Sequence, residues 1–468
     1  MSSSNIFHAY DVRGVYPTEI DEVKVKRIAM AYATFLRQGH QPSAVSNQPL
    51  VVAVGCDVRL SSPKLKKAVI EGLTEAGVSV IDIGSVPTDM LYFAVGYYHY
   101  DGGIQVTASH NPAEFNGLKM VRGGVEAISG ESGLKEIQRL VESDANLMAM
   151  VAGEVETDVV EEAYFDFLTH FVHFDAGQTK KIVANNNFGL SGPVAKRLLT
   201  RLSSSHINLI ELNWQADGNF PKGRPDPLRA ENRQETSELI LETKADFGVA
   251  WDADGDRFFL YDEEGQFVEG CYLTAILAKS LLEQNPREKI IYGPFNIWAV
   301  EAAIESAGGK KIMERVGHSF IKSRMKKEGA LFAGESSGHY FFRDFYSADN
   351  GLIPFLLVLN ILTASSKKVS ELLAPYRENY PVSGEINFEV ANKDKLLKQI
   401  ESKYTTGTVD RTDGLSVSFD NWRFNVRPSN TENLLRLNVE ARDRQTCDQK
   451  TAELEALING LRADGKFS

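Results

Sequence analysis

Short apolar runs alternate with amphipathic stretches in a pattern that starts three times along the chain. The first pass has an apolar run at 50–54, a helical spacing of apolar residues over 64–77, and a second apolar run at 78–83. Strand–helix–strand order joins strands that run in the same direction, so it predicts a parallel sheet. The order recurs at 182–184 with a helix through Leu202 and a strand over 207–212, and at 290–292 with a helix through Ala307 and a strand over 311–316.

The C-terminal part has a different pattern. Residues 382–390 alternate like a strand, turn dipeptides stand at 413–414 and 420–421, and 443–461 has the spacing of an amphipathic helix. Hairpin turns between strands predict an antiparallel sheet, hence an α+β domain. We therefore predict three tandem mixed α/β domains and a C-terminal α+β domain around a central cleft, with a hinge within 365–381. The expected boundaries are 1–153, 154–266, 267–372 and 373–468.

Length and charge narrow the choice of partners. A chain of 468 residues exceeds what one hydrophobic core serves. Its formal net charge of −12 makes nucleic acid and anionic membranes poor partners. It can still bind small anionic substrates where its basic residues gather in one cleft. We expect no nucleic-acid partner, no membrane partner, and a monomer or weak dimer.

Cysteine usage and hydropathy favour a cytoplasmic protein. The three cysteines are far apart and form no Cys-x-x-Cys pair, which is typical of reduced thiols. The longest apolar run, 352–362, is shorter than a membrane span requires.

Four polar loops each follow a predicted strand. The strands are 104–107, 247–251, 331–333 and 424–426, and the loops are TASHNP (107–112), DADGDR (252–257), GESSGH (334–339) and RPSNTE (427–432). Ligands of open α/β sheets bind beyond the carboxyl ends of strands, so the four loops are expected to meet at one cleft.

The DADGDR loop carries three closely spaced carboxylates. In an extended segment Asp252, Asp254 and Asp256 point to one side, where they repel each other unless a cation lies between them. Oxygen ligands of this kind suit magnesium or calcium. A calcium helix–loop–helix is disfavoured because Arg257 stands where that loop needs glycine and the flanks resemble strands, although Glu263 fits its twelfth position. The alternative is a solvated acidic turn.

Ser109 has three interpretations. It is part of a simple Asn-Pro turn, a hydrolase nucleophile paired with His110, or a phosphate carrier. Adjacent side chains are expected to point apart, and no Gly-x-Ser-x-Gly elbow surrounds this serine. A serine near a metal site suits phosphoryl transfer. The RPSNTE loop suits a phosphate and the GESSGH loop suits sugar hydroxyls, with an ordinary turn and a hairpin rim as the alternatives.

Together with YDVRG at 10–14, the four loops resemble the α-D-phosphohexomutase superfamily, in order and over nearly the whole chain. By that resemblance Ser109 is phosphorylated and exchanges its phosphate with a hexose 1- or 6-phosphate through a hexose 1,6-bisphosphate, which also serves as activator. Mg²⁺ is held by Asp252, Asp254, Asp256 and the phosphate on Ser109. The implied catalytic residues are Ser109, Lys119, Arg13, Arg257 and His339, with Lys119 and His339 as proton carriers. The implied substrate contacts are Tyr10, His318, Glu335, Ser337, His339, Arg427, Ser429, Asn430 and Thr431.

Two loops depart from the family pattern. Asn296 stands where many relatives carry a basic residue, and Asn185–Asn187 stand where relatives have an aspartate and a glycine-rich turn, a change expected to affect packing more than chemistry. Ser336, where glucosamine-phosphate mutases usually have glutamine, and the GHS sequence at 317–319 favour the bacterial-type phosphomannomutase/phosphoglucomutase branch. Phosphoglucosamine mutase, a phosphohydrolase and a non-catalytic sugar-phosphate binder are the alternatives.

Overall fold

A computed structural model describes residues 6–39, 50–143, 145–149, 151–173, 179–202, 204, 206–390, 392–429 and 434–464. Its contacts divide the chain into two units. The first unit comprises Met1–Phe267 and His339–Ser366, and the second unit comprises Val268–Gly338 and Lys367–Ser468.

The N-terminal part of the first unit is a mixed sheet with helices. Its elements are β1 (Val12–Val15), α1 (Glu22–Gly39), β2 (Val51–Cys56), α2 (Ser62–Glu75), β3 (Ser79–Ser85), α3 (Thr88–Tyr97), β4 (Gly102–Val106), β5 (Phe115–Arg122), β6 (Glu126–Ala127), α4 (Leu134–Glu142) and β7 (Val155–Thr157). The strand order is β1-β5-β4-β2-β3-β7, with β6 on β5. Strands β4, β2, β3 and β7 are parallel neighbours, whereas β5 is antiparallel to β4 and β1.

The first predicted strand–helix–strand unit is confirmed here as β2, α2 and β3, with small shifts at the ends of these elements. Helix α2 begins two residues earlier than expected, at Ser62, because Pro63 lies in the first turn, where the missing N–H is no loss. The central strands β2 and β4 are buried on both faces, which explains why β2 is continuously apolar. Strand β4 includes the polar Gln105, whose Nε2 donates to Val86 O at 2.7 Å.

A four-stranded sheet follows in the first unit. Its elements are α5 (Glu161–Leu168), β8 (Lys180–Asn185), α6 (Ser191–Arg201), β9 (Ile207–Leu212), α7 (Gln234–Thr243), β10 (Phe247–Trp251) and β11 (Phe258–Tyr261). The strand order is β11-β10-β8-β9, in which only β11 is antiparallel to its neighbour. The strand predicted over 207–212 is confirmed at both ends.

Residues 268–379 contribute to both units. Their elements are α8 (Gly270–Gln284), β12 (Lys289–Tyr292), α9 (Trp298–Ser306), β13 (Lys310–Met313), α10 (His318–Glu328), β14 (Phe332–Gly334), β15 (Tyr340–Phe342), β16 (Ala348–Asp349), α11 (Leu352–Ala364) and α12 (Val369–Asn379). In the second unit β12 pairs in parallel with β13 and β14. The strand predicted over 311–316 corresponds to β13, which ends at Met313 rather than at residue 316.

The hairpin β15–β16 and helix α11 belong to the first unit, although they follow residues of the second unit along the chain. The indole N–H of Trp251 donates to Gly351 O at 2.9 Å, and its ring meets Phe355 edge-on at 5.5 Å. Helix α12 fills most of the segment predicted to contain a hinge, and the division between the units falls just before it. Among the residues described, no single helix is both long and apolar enough to cross a membrane, and α11 and α12 meet those criteria only when taken together.

The C-terminal part of the second unit is an antiparallel sheet with two helices. Its elements are β17 (Ile386–Glu389), α13 (Lys393–Glu401), β18 (Thr408–Asp410), β19 (Leu415–Ser418), β20 (Trp422–Pro428), β21 (Leu434–Ala441) and α14 (Arg444–Asp464). The order is β17-β21-β20-β19-β18. Both predicted hairpin turns are confirmed, and Gly414 has the positive φ of 73° that such a turn requires. The strand predicted from Val382 forms only over 386–389. The predicted fold class is confirmed.

Candidate active site

Ser109 lies just beyond the carboxyl end of β4 and is 1% exposed. Its φ of 49° is in the left-handed region, which serine seldom adopts. Its hydroxyl donates to Asp252 Oδ2 at 2.9 Å, so the serine loop and the aspartate loop are in direct contact. The predicted phosphate carrier therefore lies at the predicted metal loop.

The expectation that Ser109 and His110 point apart is wrong. Ser109 Oγ and His110 Nδ1 are 3.1 Å apart, because the left-handed backbone at Ser109 changes the direction in which the chain continues. Burial lowers the pKa of His110 well below its usual value, and the nearby charges of Arg257 and Arg13 lower it further. His110 is therefore neutral at physiological pH.

The three aspartates converge, but on a turn rather than on an extended segment. Residues 252–257 join β10 to the antiparallel β11, and Gly255 provides a φ of 74° in the turn. Carboxylate oxygens of Asp252, Asp254 and Asp256 lie within 4.8 Å of one another, and all three side chains are buried. The strands on either side confirm that this loop is not a calcium helix–loop–helix.

The carboxyls of this cluster differ in how far nearby positive charge compensates them. Burial, with the charges of Asp254 and Asp256, raises the pKa of Asp252 well above its usual value. Burial opposes ionisation of Asp254 as well, but the adjacent Lys119 ammonium lowers the pKa of that carboxyl. Lys119 Nζ donates to Asp254 Oδ2 at 2.6 Å and also to Asp256. Burial would lower the pKa of Lys119, yet the two carboxylates outweigh it and raise that pKa.

The cluster fits a divalent cation. Oδ1 of Asp254 and Oδ1 of Asp256 are buried and receive no hydrogen bond from any residue that the structure describes. Buried carboxylate oxygens are costly unless a donor or a metal meets them. Three such oxygen donors on one turn have the chemistry that magnesium prefers.

Arg13 and Thr88 bring further groups to the same place. Arg13 pairs with Asp11 at 2.7 Å, and its Nη1 donates to Asn111 Oδ1 at 2.8 Å, beside Ser109. The Thr88 hydroxyl donates to Asp254 Oδ2 at 2.7 Å. Thr88 was not predicted from the sequence, because a threonine at a helix start carries no motif of its own. Tyr10, a predicted substrate contact, lies half-buried in the turn before β1.

His339 lies between Arg257 and a carboxylate that the sequence did not reveal. Arg257 Nε donates to His339 Nε2 at 3.0 Å, and Asp349 Oδ2 is 2.8 Å from Nδ1 of the same ring. Asp256 Oδ1 is 3.8 Å from Nδ1. Because arginine can only donate, Nε2 must present its lone pair, which leaves the ring proton on Nδ1, the nitrogen that is 2.8 Å from Asp349 Oδ2.

The other predicted sugar contacts belong to the second unit. Glu335 Oε1 accepts a hydrogen bond from the Gly317 N–H at 2.8 Å, so the GESSGH loop directly contacts the residue before His318. The Ser337 hydroxyl is 3.3 Å from Glu335 Oε2. The GESSGH motif is thus divided, because Glu335 and Ser337 lie in the second unit and His339 in the first.

Arg427 lies near these residues within the second unit. The Val316 N–H donates to Asp413 Oδ2 at 3.0 Å, and the neighbouring Gly414 packs so tightly on Arg427 that a Cβ there would lie 2.6 Å from Arg427 Cβ. Arg427 is 7% exposed, and its guanidinium lies 4.7 Å from the centre of the Phe295 ring. Arg427 is the second-last residue of β20, so it belongs to the strand and not to the loop that follows it.

The phosphate-binding loop is only partly described. Ser429 is buried at the end of β20, and its N–H donates to Leu434 O at 2.8 Å. Asn430 and Thr431, both predicted substrate contacts, lie outside the described residues.

The departures from the family pattern have different surroundings. Asn187 Nδ2 donates to Trp251 O at 2.7 Å, and Asn186 Nδ2 donates to Trp214 O at 2.8 Å, so this loop supports the strand that leads to Asp252. Asn296 is 5% exposed with a φ of 41°, and its Nδ2 is 3.5 Å from Asn438 Oδ1. No positive charge stands at position 296.

Models of a single protein family match nearly the whole chain. Models of the phosphoglucomutase/phosphomannomutase α/β/α domains I, II and III match residues 4–148, 162–265 and 269–380, and the C-terminal domain model matches 385–457. The phosphomannomutase of Salmonella typhimurium is 41% identical over 466 residues, which cover 98% of this chain and 100% of the relative.

Solved structures agree. A phosphoglucomutase/phosphomannomutase family protein from Burkholderia thailandensis has a TM-score of 0.86 at 31% identity, over 98% of each chain. N-acetylphosphoglucosamine mutase of Aspergillus fumigatus, solved with GlcNAc-6P and magnesium, shares the fold with a TM-score of 0.63 at 13% identity, over 99% of this chain and 97% of that one. The fold and these matches define a phosphohexomutase. The chain belongs to the phosphoglucomutase/phosphomannomutase family.

Proposed function

We propose that this enzyme interconverts hexose 1-phosphates and hexose 6-phosphates of mannose and glucose, with Ser109 as a reversible phosphate carrier. The observation that carries the proposal is the hydrogen bond from Ser109 Oγ to Asp252 within a buried cluster of three carboxylates. A hydrolytic nucleophile needs a base and a water, whereas a carrier needs charge compensation on both sides of the transferred group.

Mg²⁺ fits the oxygen atoms of Asp252, Asp254 and Asp256, together with an oxygen of the phosphate on Ser109. The ion supplies charge that offsets the phosphoryl group during transfer. Arg13 and Arg257 lie near Ser109 and Asp252, where their guanidinium groups are placed to bind the remaining phosphate oxygens. Lys119, held charged by Asp254 and Asp256, adds a third cation.

In each transfer the bond between phosphorus and Ser109 Oγ breaks as a bond to a sugar hydroxyl forms. The hydroxyl proton leaves to a base, and Ser109 Oγ receives a proton from an acid. Lys119 and His339 are the proposed proton carriers. The Lys119 ammonium is suited to donate, and His339 Nε2 is suited to accept once Arg257, which donates to it here, turns to the phosphate. The product is a hexose 1,6-bisphosphate, and the same groups exchange roles when its other phosphate returns to Ser109.

Substrate binding is assigned to the remaining predicted residues. Glu335, Ser337, His318 and His339 bind the sugar hydroxyls, and Tyr10 contacts the substrate from the turn before β1. The non-reacting phosphate is bound by Arg427, Ser429, Asn430 and Thr431. Its binding relies more on Arg427 than in relatives with a basic residue at position 296, because Asn296 carries no charge.

The remaining expectations are part of this proposal. Domains at 1–153, 154–266, 267–372 and 373–468 are supported by the four family-model matches. A cytoplasmic location is supported by three buried free thiols. We propose a monomer or weak dimer with sugar phosphates as its partners, and without nucleic-acid or membrane partners.

One assay separates the proposed mutase from the alternatives. The purified chain with Mg²⁺ and glucose 1,6-bisphosphate is given mannose, glucose or glucosamine 1-phosphate, and both hexose 6-phosphate and free phosphate are measured. We expect interconversion of the mannose and glucose esters without release of phosphate. Release of phosphate indicates a hydrolase, preference for the glucosamine ester indicates phosphoglucosamine mutase, and neither product indicates a binding protein.

The role of Ser109 is tested by Ser109→Ala. Interconversion should be lost while the melting temperature stays close to that of the wild type. Ser85→Ala, at an exposed serine of the same sheet, is the matched control and should keep full activity. Normal turnover of Ser109→Ala would refute the carrier.

A further inference from the structure

A single arginine binds the backbone of the Ser109 loop at four points. Arg59 is 1% exposed, and its Nη2 donates to Ser109 O at 2.6 Å and to Asn111 O at 2.7 Å. Its Nη1 donates to Pro112 O at 2.6 Å and to Phe115 O at 2.9 Å. Three of the acceptors lie in the connection between β4 and β5, and the fourth belongs to the first residue of β5. The rigid guanidinium therefore fixes the path of the segment that carries Ser109.

The fifth donor of Arg59 leads to Ser109 by a second route. Arg59 Nε donates to Asp57 Oδ2 at 3.0 Å, and the same oxygen accepts the Thr107 hydroxyl at 2.8 Å. Thr107 Oγ1 in turn accepts the Ser109 N–H at 2.9 Å. Both the N–H and the C=O of Ser109 are therefore held by a network that begins at Arg59.

This network bears on the unusual backbone of Ser109. A non-glycine residue in the left-handed region is strained, and it persists only where its surroundings impose it. The bonds to the Ser109 N–H and C=O are the contacts that impose it here. The guanidinium also lies 5.0 Å from the centre of the Phe220 ring, which restrains it further.

We propose that Arg59, oriented by Asp57, is a positioning residue for phosphoryl transfer, because it sets the backbone from which Ser109 Oγ reaches Asp252. The side-chain hydrogen bonds of Arg59 to described residues go to Asp57 and to four backbone oxygens, so Arg59 acts on the Ser109 hydroxyl through the backbone. This inference rests on the proposed role of Ser109 as the phosphate carrier.

Arg59→Lys is the principal test, because lysine keeps the charge but cannot reach four carbonyl oxygens and Asp57 together. The full chain with Mg²⁺ is dephosphorylated and then mixed with glucose 1,6-bisphosphate, and intact mass follows the phosphate on Ser109 with time. We expect the phosphorylation rate and kcat to fall on the order of 100-fold, with KM changed less than about threefold, because a small misplacement of a reacting atom has an effect of this size.

A matched control is Arg27→Lys. Arg27, in α1, also binds backbone carbonyls, and its Nε donates to Val141 O at 2.9 Å. These carbonyls are at the end of α4 rather than in the Ser109 loop. The Arg27→Lys enzyme should keep its kcat and phosphorylation rate. A wild-type kcat and phosphorylation rate in Arg59→Lys would overturn the positioning role.

Thr107 provides a second test that does not depend on the buried arginine. Thr107→Val removes the hydroxyl between Asp57 and Ser109 and should lower the phosphorylation rate about tenfold or more, whereas Thr107→Ser should restore it. If Arg59→Lys loses its cooperative melting transition, the comparison of Thr107→Val with Thr107→Ser becomes the decisive test. Equal phosphorylation rates in these two Thr107 variants would overturn the inference. A wild-type protein that never carries phosphate on Ser109 would instead contradict the proposed function itself.

Discussion

Asp349 and Arg257 approach opposite nitrogens of the His339 ring, at 2.8 Å from Nδ1 and 3.0 Å from Nε2. An arginine N–H can only donate, so this arrangement selects the imidazole tautomer with its proton on Nδ1 and its lone pair on Nε2. The selected nitrogen is the one that faces Arg257, the last residue of the DADGDR loop.

Asp349→Asn should therefore reduce turnover without loss of substrate affinity. The amide can present its N–H₂ group to Nδ1 and so favour the wrong tautomer. We expect kcat to fall about 10- to 100-fold, the range typical for residues that orient a functional histidine, with KM nearly unchanged. Steady-state kinetics on glucose 1-phosphate check this. Asp344→Asn, at an exposed aspartate of the same hairpin, should behave as the wild type, and an Asp349→Asn enzyme with full kcat would exclude the orienting role.

We expect Lys119 to compete with a divalent cation for two of the three aspartates. Its ammonium contacts Asp254 and Asp256, so a divalent cation must displace positive charge when it binds. Lys119→Met should raise the affinity for Mn²⁺ on the order of tenfold, equivalent to about 1.4 kcal/mol, while turnover is lost. Calorimetric titration of the dephosphorylated protein measures the affinity independently of activity. Lys64→Met, at an exposed lysine, should leave the affinity unchanged, and a weaker affinity in Lys119→Met would contradict the competition.

Asp89 should make stability depend on pH. Its carboxyl accepts the Tyr164 hydroxyl at 2.9 Å, and Asn350 Nδ2 donates to that hydroxyl at 2.7 Å. Burial raises the pKa of Asp89 to about 7. Below about pH 4 both the folded and unfolded states hold the proton, but between about pH 4 and 7 only the folded state does, so the free energy of unfolding falls as pH rises.

Asp89→Asn removes this titration while keeping the shape of the protonated group. The melting temperature of the variant, relative to the wild type, should therefore increase steadily from pH 4 to pH 8, by the equivalent of a few kcal/mol. Thermal melts in a series of buffers measure this difference in melting temperature. The other carboxyls titrate in both proteins, so their contributions cancel in the difference. Asp420→Asn, at an exposed aspartate, should show a constant difference. A constant difference for Asp89→Asn as well would rule out the raised pKa.

Two ion pairs in the C-terminal sheet domain should differ in their contribution to stability. Arg423 Nη1 is 2.8 Å from Glu440 Oε1, both side chains are at most 3% exposed, and the carboxylate also accepts the Ile297 N–H at 2.7 Å. Glu440→Gln should lower the free energy of unfolding by about 3 kcal/mol, because it leaves a buried arginine unpaired.

The exposed pair Arg411–Glu401 is the comparison, since Arg411 is 63% exposed. Glu401→Gln should change stability by less than about 1 kcal/mol. Urea titrations of both variants give the two values. Equal effects would mean that burial does not determine the strength of the Arg423–Glu440 pair.

The sequence by itself determined the elements and the places where chemistry gathers. The period of apolar residues is a local property, so strands such as β9 and helices such as α2 could be predicted with small errors at their ends. Polar loops after strands could be expected to meet because ligands of open α/β sheets bind beyond the carboxyl ends of strands. The strands before Ser109 and before the three aspartates belong to different sheets, so the contact itself depends on how these sheets pack. The same rule predicted that Ser109 lies near the three aspartates, and the family resemblance supplied the remaining residues.

Only the tertiary structure decided which side chains meet. The contact between Ser109 and His110 depends on a left-handed φ, a choice that the residue names do not encode. Asp349 and Arg59 carry no motif, and they reach His339 and the Ser109 loop only because distant segments pack together. The aspartates converge on a turn through Gly255, and the GESSGH motif is divided between two units although its residues are consecutive. These contacts depend on backbone angles and on packing between remote segments, and a pattern along the chain contains neither.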